Sequence, residues 1–152
     1  MLQKTLDAIR PLIPRGLFRA LQRPYHWKLA LLAAIRYGFP SRHIKIIAVT
    51  GTKGKSSTVE IINAILERAG YKTALSNTIR FKIGNQSEKN LYKMSMPGRF
   101  STQKLIRDAV KAGCDYMIME MTSQGALLYR HRFIGIDTLV FTNLSPEHIE
   151  AH

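Results

Sequence analysis

Three observations predict an α/β fold built on a mostly parallel sheet with flanking helices. Apolar runs rich in β-branched residues alternate with segments of helical spacing along residues 44–152. The first join carries Val49-Thr50-Gly51-Thr52-Lys53-Gly54-Lys55-Ser56-Ser57-Thr58, a glycine-rich turn between a strand and a helix. Polar residues end the later apolar runs: Glu120 after "DYMIM" and Thr142-Asn143 after "IDTLVF". The carboxyl ends of parallel strands are where such sheets hold ligands.

The elements follow in chain order. Residues 1–43 predict a basic, amphipathic helical segment in two pieces, "LQKTLDAIRPLI" and "HWKLALLAAIRYGF", parted by Pro14, Gly16 and Pro24. Its Tyr25, Trp27, Tyr37 and Phe39 stand at near-helical spacing among apolar residues, which predicts core rather than a platform for stacking bases. Pro40-Ser41 closes the segment, and "IKIIAV" (44–49) predicts a buried strand. A helix of about 15 residues is expected from Lys55, with Val59, Ile62, Ile65, Leu66 and Ala69 on one face and Gly70 at its end. "YKTALS" predicts a second strand, and "NTIRFKIGNQSEKN" extended chain with a Gly-Asn turn. After the loop "SMPGRF", Ser101 is expected to cap a helix through "TQKLIRDAVKA" that stops at Gly113. "DYMIME" and "IDTLVFTNL" predict a third and a fourth strand.

Composition narrows the classes. The 152 residues suffice for one ordinary core, and a 45% apolar share is that of a globular chain. The single cysteine, Cys114, excludes an internal disulfide and fits a reducing compartment. The start shows no signal-peptide pattern, and the longest apolar patch, "LALLAAI", is far short of the roughly 20 residues of a bilayer span. A cytoplasmic location is the expectation. The net charge is +13, and residues 1–45 hold nine Lys or Arg against one acid, Asp7. Such a balance attracts polyanions, or else makes a solvated basic face. We expect no nucleic-acid partner, and at most weak contact of residues 1–45 with an anionic membrane surface.

The loop itself predicts chemistry. A glycine-rich turn opening a helix offers backbone N–H groups and the positive end of the helix dipole, both suited to phosphate. Lys55 would reach the outer phosphates and Ser56 would hold Mg²⁺. Val49 stands where the pattern G-x-x-x-x-G-K-[ST] has its first glycine, so the "GKS" half and the strand–turn–helix setting carry the reading. Glu120, ending an apolar strand, suits a metal-holding carboxylate. His148, in "NLSPEHIEAH", joins it if three strand ends converge, although Mg²⁺ prefers oxygen to imidazole.

Four stretches in order, "VTGTKGKSSTVEIINAILERAGYKTAL", "MSMPGRFSTQKLIRDAVKAGCDYMIMEMTSQGAL", "YRHRFIGIDTLVF" and "TNLSPEHIEAH", resemble the ATP-binding central domain of the Mur ligases, nearest to the tripeptide-synthetase branch. The likeness spans about residues 44–152 and implies a P-loop-type domain, with 1–43 as a separate helical segment. It implies an ATP- and Mg²⁺-dependent ligase of peptidoglycan precursor synthesis: a carboxylate of a UDP-N-acetylmuramoyl-peptide becomes an acyl phosphate, and an amino acid's amine displaces phosphate. It implies that Gly51, Thr52, Lys53, Gly54, Lys55, Ser56 and Ser57 hold ATP. Lys55, Glu120 and His148 would be catalytic, with Ser56, Glu120 and His148 as metal ligands. Ser95, Met96, Pro97, Thr122 and Arg130 would contact the UDP-sugar substrate.

The sequence departs from the family at several points. Lys53 replaces the usual Asn of the loop, Met96 removes a hydroxyl, Gln124 stands where the branch often has His, and Glu147 replaces an Asp. The resemblance also implies a shortened central domain, without the usual uridine-binding and closing domains. The expectation is a chain inactive in ligation alone, or one completed by a partner chain. A folylpolyglutamate synthase-like ligase and a non-catalytic ATP-binding module are the alternatives.

Overall fold

The computed structural model describes residues 15–91 and 94–145, with side chains from residue 22 onward. Helix α1 (Arg15–Tyr37) and a short 3₁₀ turn (Pro40–His43) lead into β1 (Lys45–Thr50). Helix α2 (Lys55–Arg68), β2 (Thr73–Ser76), β3 (Arg80–Ile83) and β4 (Gln86–Lys89) follow. Then come α3 (Arg99–Lys111), β5 (Tyr116–Glu120), the short α4 (Ser123–Leu127) and β6 (Thr138–Phe141).

The six strands form one sheet in the order β4-β3-β2-β5-β1-β6. Strands β2, β5, β1 and β6 are parallel neighbours, and β3 and β4 extend the sheet as an antiparallel hairpin. The stretch expected as extended chain is thus two strands of the sheet, turned at Gly84-Asn85.

Side chains alternate across a strand, so each strand feeds two layers. Ile46 and Ala48 of β1 pack with Ala74, Met117 and Met119 against Ile106 and Ala109 of α3. Val49, Leu75 and Ile118 point to the other face and meet Val59 of α2, with Ile62 and Leu66 beside it. Helix α1 lies on α3, with Ala30, Ala33 and Ala34 buried.

Four details differ from expectation. Helix α1 runs through Gly16 and Pro24 without a break. Proline in a helix interior costs about 3 kcal/mol through a lost hydrogen bond and a ring clash, and packing of the Ala30–Ala34 turn on α3 acts against that cost. Of its aromatic residues, Tyr25 and Trp27 are exposed rather than core. In α2, Ile65 is exposed while Asn63 is buried and accepts a hydrogen bond from Thr73 Oγ1 at 2.7 Å. Helix α3 begins two residues before Ser101, with Gly98 at the cap and no side-chain capping bond. The piece expected around residues 2–13 lies outside the described residues.

Candidate phosphate and metal site

Strand β1 lies one in from the edge of the sheet, flanked by β5 and β6, so the turn after it opens at the carboxyl ends of three parallel strands. Gly51 has φ +134, and a Cβ built there would lie 2.2 Å from Thr142 Oγ1. Only glycine lets the turn pass this close to the end of β6. Gly54 has φ +80 and precedes α2, and a Cβ there would meet nothing within 4 Å. The loop therefore leaves open space above the first turn of α2, whose N–H groups have no acceptor within the helix.

The residues after β6 clamp the loop. Lys53 N donates to Asn143 Oδ1 at 3.0 Å and Thr52 N to Asn143 O at 3.1 Å. Thr142 Oγ1 donates to Lys53 O at 2.8 Å, and Ser145 N to Thr52 Oγ1 at 3.0 Å. Lys55 Nζ is folded back onto the loop and donates to Gly51 O at 2.8 Å and Thr52 O at 2.9 Å.

Glu120, at the end of β5, is 1% exposed and holds the centre of a hydroxyl chain. Ser56 Oγ donates to its Oε1, and Thr78 Oγ1 to its Oε2 at 2.8 Å. Thr78 Oγ1 also meets Ser95 Oγ at 2.7 Å. A carboxyl group this buried requires such partners. Thr78 is positioned by the turn between β2 and β3. There the fully buried Asn77 accepts from Ile79 N and Arg80 N at 2.9 and 2.8 Å and donates to Glu60 Oε1 at 2.8 Å. The Arg80 guanidinium bonded to Glu60 holds that carboxyl below the usual range.

The structure brings Lys55, Ser56, Glu120 and Ser95 to one mouth. His148 lies outside the described residues. Met96 is buried, and a Cβ on Gly125 would lie 2.6 Å from its sulfur. Its carbonyl accepts from Arg130 Nη1 at 2.5 Å, while Thr122 Oγ1 accepts from Gly125 N at 3.0 Å to cap α4. Pro97 is buried beside them and its carbonyl accepts from Thr102 Oγ1 at 3.3 Å. Sequence reasoning missed Thr78, Asn77 and the clamping role of Asn143. Only the polar ending of β6 hinted at the last of these.

The donor set suits a hard cation. Ser56 and Glu120 offer adjoining oxygens, the ligands Mg²⁺ prefers, and no group of three or more His, Cys, Asp or Glu is gathered among the described residues. An open cavity of about 540 Å³ lies at the opposite ends of the strands, between Arg42, Lys45, Cys114, Asp115 and Asp137, away from this mouth.

A mostly parallel sheet with a Gly-Lys-Ser turn after an inner parallel strand, facing a buried strand-end carboxylate, defines an α/β class with its candidate ligand mouth at the strand ends. The Mur ligase middle domain model matches residues 49–152, and the chain belongs to the Mur ligase family. It is 40% identical over 126 residues to a UDP-N-acetylmuramoyl-L-alanyl-D-glutamate--2,6-diaminopimelate ligase of Clostridium botulinum, covering 82% of this chain and 25% of the relative. A UDP-N-acetylmuramyl-tripeptide synthetase of Roseiflexus sp. is also 40% identical, with the same coverage. A solved diaminopimelate ligase structure is similar with a TM-score of 0.63 and 26% identity, over 71% of this chain and 22% of that one. The chain thus spans about a quarter of the length of these relatives. Among the described residues no helix is long and apolar enough to cross a membrane.

Proposed function

We propose that this chain binds ATP with Mg²⁺ at the 51–57 loop and serves ATP-dependent amide-bond formation on a UDP-N-acetylmuramoyl-peptide in peptidoglycan precursor synthesis, in the cytoplasm. The observation that carries the reading is the Ser56–Glu120 contact beside Lys55, at the carboxyl ends of adjacent strands. Family membership and the substrates named for the relatives support the substrate class.

In this reading residues 44–152 belong to the ATP-binding central domain, and 1–43 form a distinct basic helical segment. Lys55 exchanges its loop carbonyls for the outer phosphates. The first-turn N–H groups of α2 receive phosphate oxygens. Ser56 and Glu120 hold Mg²⁺, which supplies charge neutralisation between the phosphates when bound. The γ-phosphoryl group passes to a carboxylate oxygen of the acceptor and ADP leaves. The amine of an amino acid then attacks the acyl carbon, and phosphate leaves with the former carboxylate oxygen. The chain's part is positioning and electrostatics. Ser95, Met96, Pro97, Thr122 and Arg130 face the acceptor, and His148 serves a second metal, both by similarity to the family.

Calorimetric titration with Mg-ATP tests this. Lys55→Ala removes charge-assisted bonds worth about 1.5–3 kcal/mol, so binding should weaken by roughly 10- to 100-fold. Equal affinity of the variant and the parent chain would overturn the assignment.

A further inference from the structure

Beyond the loop, a second group of side chains gathers where α1, α3 and the segment after α4 meet. Arg99 opens α3 and donates through Nη2 to Leu128 O. Arg130 donates through Nη1 to Met96 O, which returns the contact toward the start of α3. These two bonds cross-link the segments and set two guanidiniums of like charge near each other, close enough that Arg130 depresses the Arg99 pKa after burial has done so. His26 of α1 faces both; burial first, then Arg99 and Arg130, push its imidazole below the ordinary value.

The hydrogen-bond accounting there is incomplete within the protein. Arg99 Nε, Arg130 Nε and His26 Nδ1 are buried and have no partner among the described residues. Among the described residues neither arginine forms an ion pair; the pairs there are Arg80–Glu60, Lys82–Glu67 and Lys104–Asp108. Buried donors and like charges are both unfavourable unless an acceptor reaches them. Two planar guanidiniums and an imidazole suit an oxyanion, which can take paired N–H donors and offset the repulsion. The group is linked to the Glu120 mouth through the chain at Met96, whose carbonyl accepts from Arg130. Met96 follows Ser95, whose hydroxyl reaches Glu120 through Thr78.

We propose that His26, Arg99 and Arg130 form one receptor for an anionic group of the acceptor substrate, carboxylate or phosphoryl, and that α1 thereby supplies a wall of the acceptor site. The identity of the substrate rests on the ligase reading above; the receptor itself rests on the unpaired donors. Arg99 and His26 are the new members, since only Arg130 is implied by family likeness.

Trp27 is the sole tryptophan, neighbours His26 in sequence, and packs edge-to-face on Phe133 with ring centroids 5.4 Å apart. Its fluorescence, excited at the red edge of the indole band, reports on the receptor. The 152-residue chain is titrated with UDP-N-acetylmuramoyl-dipeptide, with UDP, and with the N-acetylmuramoyl-dipeptide that lacks phosphate. Saturable change with the first is expected, weakened at least tenfold by Arg99→Gln and a few-fold by His26→Gln, with Arg99→Lys intermediate. A response to UDP alone of the two fragments assigns the phosphoryl group, and a response to the dipeptide fragment alone assigns the carboxylate. Absence of any saturable response in the parent chain, or an Arg99→Gln variant that binds like the parent, overturns the proposal. Mg-ATP titration of the same parent sample separates the outcomes: nucleotide binding without an acceptor response removes this receptor and leaves the ATP reading standing.

Discussion

The Glu120 mouth and the Arg99–Arg130 junction are both sites of buried charge, and they are finished in opposite ways. Both carboxylate oxygens of Glu120 receive a hydroxyl, from Ser56 and Thr78, and the loop beside it is tied to Asn143 and Thr142. At the junction each guanidinium gives one bond to a backbone carbonyl and keeps a buried Nε without an acceptor. The first region is organised by the chain's own contacts, so the cation and phosphates proposed for it would bind without rearranging its frame. Among the described residues the second is left with buried donors that lack an acceptor, which the proposed anionic group would satisfy. The difference teaches that two neighbouring groups of buried polar side chains can be told apart by whether the described residues satisfy them.

Breaking the finished region should cost most. Gly51→Ala places a methyl group 2.2 Å from Thr142 Oγ1 at a φ of +134, unfavourable for any L side chain. Combined clash and strain predict a loss of about 3 kcal/mol in urea denaturation. An unchanged midpoint would show that the clamp between the loop and β6 is loose. Thr78→Val keeps the volume but removes a bond to the buried Glu120 carboxylate. About 2 kcal/mol is expected by the same measurement, and a loss no greater than that of a surface substitution would mean that Ser56 alone satisfies the carboxylate.

The smallest effect sharpens the unfinished region. His26 and His131 have pKa values lowered from 6.5, chiefly by burial. The unfolded chain therefore binds more protons near that pH. Their contribution to stability is present above about pH 6.5 and is lost as pH falls through it. Thermal midpoints should decline between about pH 8 and about pH 5, and the decline should flatten in the His26→Gln, His131→Gln double variant. Glu60 and Glu67, lowered by their bonds to Arg80 and Lys82, add their own loss only below the usual carboxylate range, near 4.5. An unaltered pH profile in the double variant would place the acid sensitivity elsewhere.

The parts that could be read from sequence are those fixed by neighbours along the chain. Gly51, Gly54 and Lys55 sit between an apolar strand and an amphipathic helix, and that local order is enough to place a loop. The strand ending in Glu120 was legible for the same reason. Thr78 was not, because its role depends on Asn77 folding the β2–β3 turn and on Glu60 reaching across from α2. The start of α3 at Arg99 was hidden because Gly98 caps it without a side chain, while Ser101 offered a more familiar signal. Pro24 misled in the opposite direction, since tertiary contacts carry α1 through a residue that usually ends a helix. The junction of His26, Arg99 and Arg130 joins three separate segments and leaves no local pattern at all.

The central claim is that Ser56 and Glu120 grip a cation that travels with the nucleotide. It is tested most directly by adding Mn²⁺ with a non-hydrolysable ATP analogue to the isotope-labelled chain and mapping paramagnetic broadening by NMR. The account predicts broadening centred on Ser56, Thr78 and Glu120 that requires the nucleotide. Broadening centred at the opposite ends of the strands, or none at the Ser56–Glu120 pair with nucleotide bound, would contradict it.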